Sequence, residues 1–440
     1  MKDHQPLDTI DALGEVLTAG RLHQSNHESG WRIRNARASL PVDLSEVDLD
    51  GRDGALLGLE ARWDGAVLRA RSARLLAAPR SDSSFSPEVR PHLADAVEAR
   101  DRLNRTLRSY FQEHDFREVE TPKAVPAPGT DLYIEPVATR SLTGGRRGGP
   151  APYLHTSPEF AMKRLLSEGF ERIYQLGPVW RDGEVTDRHH PEFTLLEWYR
   201  AWEGVDAIMA DVEEIVVRAT GGTAIAVTHT NEGTTRREIP LEPPFRRMTM
   251  QELVDAACGF DILEALDYRS LRRQIVERDL LGPGLDRRHP PADADQPGRW
   301  DELFFELMVS RLDPHLAKLG GVFVTEWPAP LAVLARTSEE DPRLAHRFEL
   351  YVGGVELANG FDELTDPDEQ RARFAAEIEE RRALDKPDLP MPEDFLQALE
   401  YGLPPSSGVA LGVDRLLMVQ LGVGRIDRVA PFAHRSGMRG

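Results

Sequence analysis

The sequence predicts an α+β fold, on three observations. Residues 14–79 read as short β segments punctuated by Gly, Asn, Ser and Asp clusters, a Pro- and Ser-rich stretch follows, and from about residue 93 the apolar spacing turns helical. Together they place a small β-rich module over residues 1–80, a linker over 81–93 and a larger unit mixing helices and strands over 94–440.

Within the module, GEVLTAGRLHQ, GWRIRNARASLPVDL and ALLGLEARWDGAVLRARSARLLA are the strand candidates, and Asp64-Gly65 is a two-residue hairpin signal. Several short strands in so few residues suit an OB-like barrel, and a plain β-meander carries the same signature. PRSDSSFSPEVRP then reads as linker. Val97, Leu103, Leu107, Tyr110 and Phe111 recur at helical spacing, and the run stops before the strand-like FREVETP. SLTGGRRGGPAPY reads as a mobile Gly-rich loop, and GPGLDRRHPPADADQPGRW, from Gly282, as an irregular surface insertion.

At 440 residues the chain exceeds one typical domain. It is 40% hydrophobic and 29% charged and has no apolar run of about 18 residues, which excludes a membrane-spanning helix. The N-terminus carries early acids without an apolar core, which argues against a secretory signal. Cys258 is the single cysteine, so an intrachain disulfide and a Cys-cluster metal site are excluded and a reducing cytoplasm is expected. A net charge of −20 gives no global attraction to nucleic-acid phosphates. The module mixes its arginines with Asp43, Glu46, Asp48, Asp50 and Asp53, so no basic stripe emerges there.

Four segments carry chemistry: TSPEFAMKRLL from Thr156, VWRDGEVTDRHHPEFTLLEWY from Val179, RFELYVGGVELANGFDEL from Arg347 and SGVALGVDRLL from Ser407. If PEFTLLEWY is a strand, Phe193, Leu195, Glu197 and Tyr199 share one face. A carboxylate among apolar groups there needs a cation, either a structural Arg or Lys or a cationic substrate. RFELYVGGVEL reads as a tight hairpin turning at Gly353-Gly354. Tyr351 then pairs with Glu356, and Glu349 lies diagonally across from Glu356, roughly 7–8 Å away at the backbone. Two acids so placed suit a magnesium ion shared with substrate phosphates, or else an exposed hairpin with solvated acids. Arg181 and Arg415 are candidate phosphate clamps, or simple salt-bridge arginines. Two glycines in SGVALGVDRL fit close backbone approach to a nucleotide, and fit tight packing equally.

In order and spacing these segments resemble the three motifs of class II aminoacyl-tRNA synthetases of the lysine branch, from about residue 95 onward. FREVETP resembles motif 1, which builds the dimer interface; VWRDGE…RHHPEFT resembles motif 2, and GVALGVDRL motif 3. Within the branch, the wording ELANGF and SGVALGVDR and the short region ahead of motif 1 are similar to the elongation factor P–(R)-β-lysine ligase family. Lysyl-tRNA synthetases more often read EIGNGF and AGLGIGIDR, with glycine at the positions of Ala358 and Ala410. One methyl group in a tight pocket is worth about 1–3 kcal/mol of discrimination.

The resemblance implies an antiparallel sheet core flanked by helices, an ATP- and Mg2+-dependent activation of lysine or (R)-β-lysine, transfer to elongation factor P, and a homodimer. Its alternatives are a lysyl-tRNA synthetase with a reduced N-terminal domain, tRNA being the less favoured acceptor, and a non-catalytic lysine-binding paralogue. Carried over by position, Ser157, Glu159, Glu197, Tyr199, Asn359, Glu363 and Ala410 would form the amino-acid pocket. Glu363 would be the partner of the side-chain ammonium. Arg181 and Arg415 would be catalytic clamps on the phosphates. With them Glu184, His189, His190, Phe193, Glu356, Leu357 and Gly412 would bind ATP, Phe193 stacking on adenine, and Glu349 and Glu356 would hold magnesium. Two positions depart from the branch. Gly183 stands where a Glu usually reads the adenine amino group, so Glu184 replaces it only if the loop bulges. His190 stands where an Asn is usual.

Overall fold

The computed structural model describes Leu7, Ile10 and residues 14–24, 31–35, 38–47, 55–78, 91–139, 152–230, 233–294 and 298–430. The chain divides into two compact units, Met1–Ala99 and Arg100–Gly440. Most of the Gly-rich stretch after Ser141, and residues 81–90 of the expected linker, fall outside the described residues.

The first unit is a closed barrel of β1 (Gly14–Gln24), β2 (Trp31–Arg34), β3 (Ser39–Asp43), β4 (Leu56–Trp63) and β5 (Leu68–Ala77), in the order β1-β2-β3-β5-β4 with β4 back on β1. This is the arrangement of an OB fold, and closure through the parallel β3–β5 pair rules out a meander. Alternation sends Leu22, Ile33, Leu57, Leu59 and Leu68 inward, where all are buried. Gly20 lets β1 approach β2: a Cβ there would stand 2.6 Å from the Arg34 carbonyl oxygen. The two-residue turn expected at Asp64-Gly65 is instead a four-residue loop, Trp63 pairing with Leu68. The Asp64 carboxylate accepts from the backbone N–H of Ala66 (2.9 Å) and Val67 (2.8 Å), and this side-chain turn competes with the tighter hairpin.

The second unit is built on an eight-stranded sheet. Its first half contains α1 (Pro91–Glu113), whose start lies in the first unit, β6 (Arg117–Glu118), and the short pair β7 (Ala124–Val125) and β8 (Tyr153–Leu154). Next come α2 (Glu159–Ser167), β9 (Arg172–Trp180), β10 (Glu192–Ala201) and α3 (Val205–Thr220). The hairpin of β11 (Thr223–Thr230) and β12 (Gly233–Pro240) leads to β13 (Arg246–Thr249). Five helices follow: α4 (Met250–Cys258), α5 (Tyr268–Glu277), α6 (Leu285–Arg288), α7 (Trp300–Leu307) and α8 (Asp313–Leu319). The last elements are β14 (Gly321–Pro328), β15 (Leu344–Val352), β16 (Val355–Asp362), α9 (Pro367–Ala383), α10 (Glu393–Gly402), β17 (Ser406–Gly412) and α11 (Val413–Leu421).

The strand order is β13-β14-β15-β16-β17-β10-β9-β6. The six central strands are antiparallel, as the resemblance implies, while the edge pairs β13–β14 and β6–β9 are parallel. On α1, Leu103, Leu107, Tyr110 and Phe111 are buried as their spacing predicts. Val97 is 49% exposed, because Ala96 and Ala99 hold the inward positions of that turn. The insertion after Gly282 is less irregular than its composition suggests. It contains α6, and the buried ring of His289 bonds Glu306 at 2.7 Å.

One face of the sheet is closed by α3 through a buried charge. Asp211 accepts from Tyr110 Oη (2.5 Å), Trp198 Nε1 (3.1 Å) and both Arg200 Nε and Nη2 (2.7 Å each). With these side chains committed to one side, the alternating positions of β10 are left to face the other.

Candidate active site

Strand register assembles the site on that other face in two cross-strand rows. In the first, Glu349 lies opposite Asn359, Asn359 opposite Ala410, and Ala410 opposite Glu197. In the second, Arg347, Phe361, Gly408 and Tyr199 follow one another across the same four strands. The expected pair Tyr351–Glu356 is present, and Gly353 and Gly354, at φ 59° and 78°, form the turn. Beyond it the register shifts by one residue between Leu350 and Tyr351. That bulge puts Glu356 and Asn359, three positions apart, on the same face, which an unbroken strand forbids.

The floor of the acidic end of the site is glycine by necessity. A Cβ on Gly408 would stand 2.3 Å from Tyr199 Cε1 and 2.6 Å from Glu363 Oε1. Above it opens a cavity of about 490 Å³, within the usual span of small-molecule sites. Ser157, Glu159, Arg181, Glu197, Tyr199, Asn359, Glu363 and Ala410 all line it. Ser157 organises the start of α2: its Oγ accepts from the Glu159 N–H at 3.0 Å and donates to Glu197 Oε2 at 2.6 Å. The other Glu197 oxygen accepts from Tyr199 Oη at 2.6 Å.

Glu197 is therefore held by two neutral hydroxyls, and among the described residues no arginine or lysine is hydrogen-bonded to it. Burial, then the negative charge of Glu159, push its pKa up to about 7 against those hydrogen bonds. Glu363 is pushed up to about 8, chiefly by burial, with Lys163 opposing and Glu159 adding to the rise. Lys163 is ion-paired with Glu363 and sits 2.6 Å from Glu159. The sequence reading missed this lysine, although its i,i+4 spacing from Glu159 on a helix is a readable signal.

The basic end of the site lies around Arg415. Asp414, beside it, anchors α11 to β10 by accepting from the Thr194 N–H at 2.7 Å. Arg415 donates to the carbonyl and the carboxylate of Glu356, each at 3.1 Å, and contacts His189 Nε2. Burial and the Arg415 charge lower the His189 pKa to about 4, so this ring is neutral. Arg181 stacks over Phe193, 5.1 Å from the ring centroid, and its buried Nε has no hydrogen-bond partner among the described residues. Glu349 accepts from Arg347 and Tyr351, both at 2.5 Å, and burial pushes it up to about 7. Arg347 and Arg188 are further cations that the sequence reading passed over. Arg347 bridges Glu349 and Asn359, and Arg188 donates to the Gly354 carbonyl.

The remaining expected residues are placed less decisively. His190 Nδ1 lies 2.7 Å from the Glu192 carbonyl oxygen, so the ring is tied to its own segment. Leu357 is buried at the bulge and offers no side-chain surface. Gly412 ends β17 against the Arg415 side chain, whose Cδ would be 3.6 Å from a Cβ there. Gly183 adopts φ 75° after β9 has ended, and the Glu184 carboxylate lies 3.9 Å from Arg181.

An antiparallel sheet bearing a cavity lined by acids, beside a cluster of arginines and a histidine, points to a class. The chain matches the tRNA synthetases of class II (D, K and N) over residues 80–436, and it belongs to that family. It is accordingly a ligase of the class II aminoacyl-tRNA synthetase type, a family that uses ATP. Among similar proteins, the elongation factor P–(R)-β-lysine ligase of Proteus mirabilis (strain HI4320) is 37% identical over 333 residues, 74% of this chain and 91% of that one. The corresponding ligase of Edwardsiella ictaluri (strain 93-146) is 38% identical over 328 residues, again 74% and 91%. The lysine–tRNA ligase of Moorella thermoacetica is 34% identical over 397 residues, 89% of this chain and 73% of that one. Among the described residues no helix is long and apolar enough to cross a membrane.

Proposed function

We propose that this chain activates lysine or (R)-β-lysine with ATP and magnesium and passes the aminoacyl group to a lysine side chain of elongation factor P. The observation that carries the substrate is the trio of buried Glu197, buried Glu363 and half-buried Glu159, three acids gathered around the ion-paired Lys163. A pocket so charged is costly until a polycationic ligand enters.

In this reading the amino-acid carboxylate attacks the α-phosphorus of ATP in line, giving the aminoacyl-adenylate and pyrophosphate. Arg181, whose buried Nε has no partner among the described residues, holds the α-phosphate. Arg415, Arg188 and the neutral His189 receive the β- and γ-phosphates. No protein nucleophile is needed, since positioning and charge neutralisation suffice. Glu356 and Glu349 fit a magnesium ion: they share a face, and the buried Glu349 carboxylate is one whose ionisation a cation would favour. The ion would neutralise phosphate charge there.

The ligases among the relatives support the protein acceptor, as does Ala410, whose methyl stands between Asn359 and Glu197 on the pocket floor. One observation favours a second reading, a lysine–tRNA ligase. A lysine–tRNA ligase aligns over 89% of this chain, which must reach into residues 1–77, against 74% for the ligases. We also propose the division into a β module (1–80), linker (81–93) and catalytic domain (94–440), homodimerisation through the motif 1 segment, and a cytoplasmic location. Radiolabelled lysine and (R)-β-lysine, offered in turn with elongation factor P and with tRNA, test the acceptor. Label is expected on the protein; label on tRNA alone overturns the first reading.

A further inference from the structure

Lys163 is 1% exposed, and its Nζ lies 5.3 Å from the centroid of Phe361 and 5.6 Å from that of Phe395. A methionine would fill the same apolar position without burying a charge, so the ammonium requires a reason beyond packing. Its surroundings supply one. Glu159 faces it from the same helix, Glu363 from the end of β16, and Glu197 with Tyr199 from β10. Arg373, from α9, lines the same cavity but is bonded to the carbonyls of Val333 and Ala335 and to Glu369.

Around Lys163, three carboxylates and one ammonium sum to two negative charges when all are ionised, while Glu377 and Arg373, both on α9 and of opposite charge, line the same cavity. A lysine-type substrate carries two ammonium groups, its carboxylate being directed to the nucleotide end. We propose that Lys163 is a positioning residue that trims the charge of the amino-acid pocket to match a dicationic substrate and aims Glu159 and Glu363 at it. The inference rests on the lysine-type substrate proposed above.

Burial works against the Lys163 charge, but Glu159 and then Glu363 more than offset it, so its pKa is raised. Without Lys163 the pocket holds three acids facing one another. Glu363, wholly buried and at about 8 even beside Lys163, then loses the charge that opposed its rise and holds its proton to higher pH. A substrate ammonium directed at Glu363 would meet a neutral acid, and raising the pH would restore its partner.

The test uses lysine-dependent ATP–pyrophosphate exchange from pH 7 to 9.5 on Lys163→Met, Lys163→Gln and Lys163→Arg. The first two are expected to raise KM for lysine about tenfold or more at pH 7, equivalent to about one pKa unit, with the gap closing as pH rises. The kcat should change less, and Lys163→Arg should restore a wild-type pH profile. A folded Lys163→Met variant with wild-type KM, or with a rise that is the same at every pH, overturns the proposal. If the Met variant does not fold, Lys163→Gln, which keeps an N–H donor without the charge, decides on the same criteria. Exchange with neither lysine nor (R)-β-lysine in the wild type would instead overturn the substrate reading, and this inference with it.

Discussion

Replacing Glu363 by Gln removes one charge and almost no volume, so it separates electrostatics from shape. Its side chain is wholly buried and ion-paired with Lys163. Breaking a buried pair outright costs about 3–5 kcal/mol, but Lys163 keeps Glu159 at 2.6 Å. The stability loss should then be nearer 1–2 kcal/mol, or a fall in Tm of roughly 1–3 °C for a unit of this size. The substrate ammonium has no such second carboxylate reserved for it, so its loss should be the larger. About 3 kcal/mol corresponds to a drop of roughly 150-fold in kcat/KM. Lysine-dependent pyrophosphate exchange measures the second quantity and thermal unfolding the first. If kcat/KM falls by less than about threefold in a folded protein, Glu363 is not the ammonium partner. Glu159 or Glu197 is then the ammonium partner.

Three further outcomes follow from the geometry. Gly408→Ala drives a methyl into Tyr199 and Glu363, and should abolish exchange while costing about 1–3 kcal/mol of stability; exchange at the wild-type KM would contradict the floor described above. Asp211→Asn, which leaves Arg200 with a neutral partner, should lower the denaturant-derived stability by about 3 kcal/mol while sparing the KM of the folded fraction, since Asp211 serves the opposite face. Glu197 and Glu363 have folded pKa values of about 7 and about 8, above the unfolded value of 4.5, so the folded state holds more protons across that window. Stability of the substrate-free enzyme should accordingly fall as pH rises from 6 to 9, and lysine should protect more at pH 8.5 than at pH 6 in a thermal-shift series. A rise in Tm over that range without ligand would reverse the sign of the argument.

How much of this was legible depended on the range of the interaction. The alternation in PEFTLLEWY placed Glu197 and Tyr199 together, and the paired glycines fixed Tyr351 against Glu356, because both rest on rules that act within a few residues. The bulge beyond Tyr351 was not legible: nothing in VELANGF marks an extra residue, and its effect appears only when β15 and β16 are paired. Lys163 shows the same limit. Its spacing from Glu159 is local, but the partner that gives it meaning, Glu363, is two hundred residues away in the chain. The Asp64 loop failed for the opposite reason. The Asp-Gly signal was local and correct in kind, but the carboxylate's own bonds to Ala66 and Val67 outweighed it.

Gly183 illustrates why a departure from a familiar motif needs geometry before it is weighed. Counting along a strand, Glu184 would point away from the side that Arg181 occupies. The strand β9, however, ends at Trp180, and the backbone of Asp182 is tied to Glu135 at 2.7 Å. With Gly183 at φ 75°, a conformation that glycine adopts without strain, the chain turns and alternation no longer applies. Glu184 comes back within 3.9 Å of Arg181, on the side where Arg181 covers Phe193. The bulged loop on which Glu184's substitution for the missing glutamate depends is therefore present. If Glu184 does read the base, Glu184→Gln should raise KM for ATP while leaving KM for lysine unchanged in the exchange assay. Equal effects on both substrates would show that Glu184 merely braces Arg181.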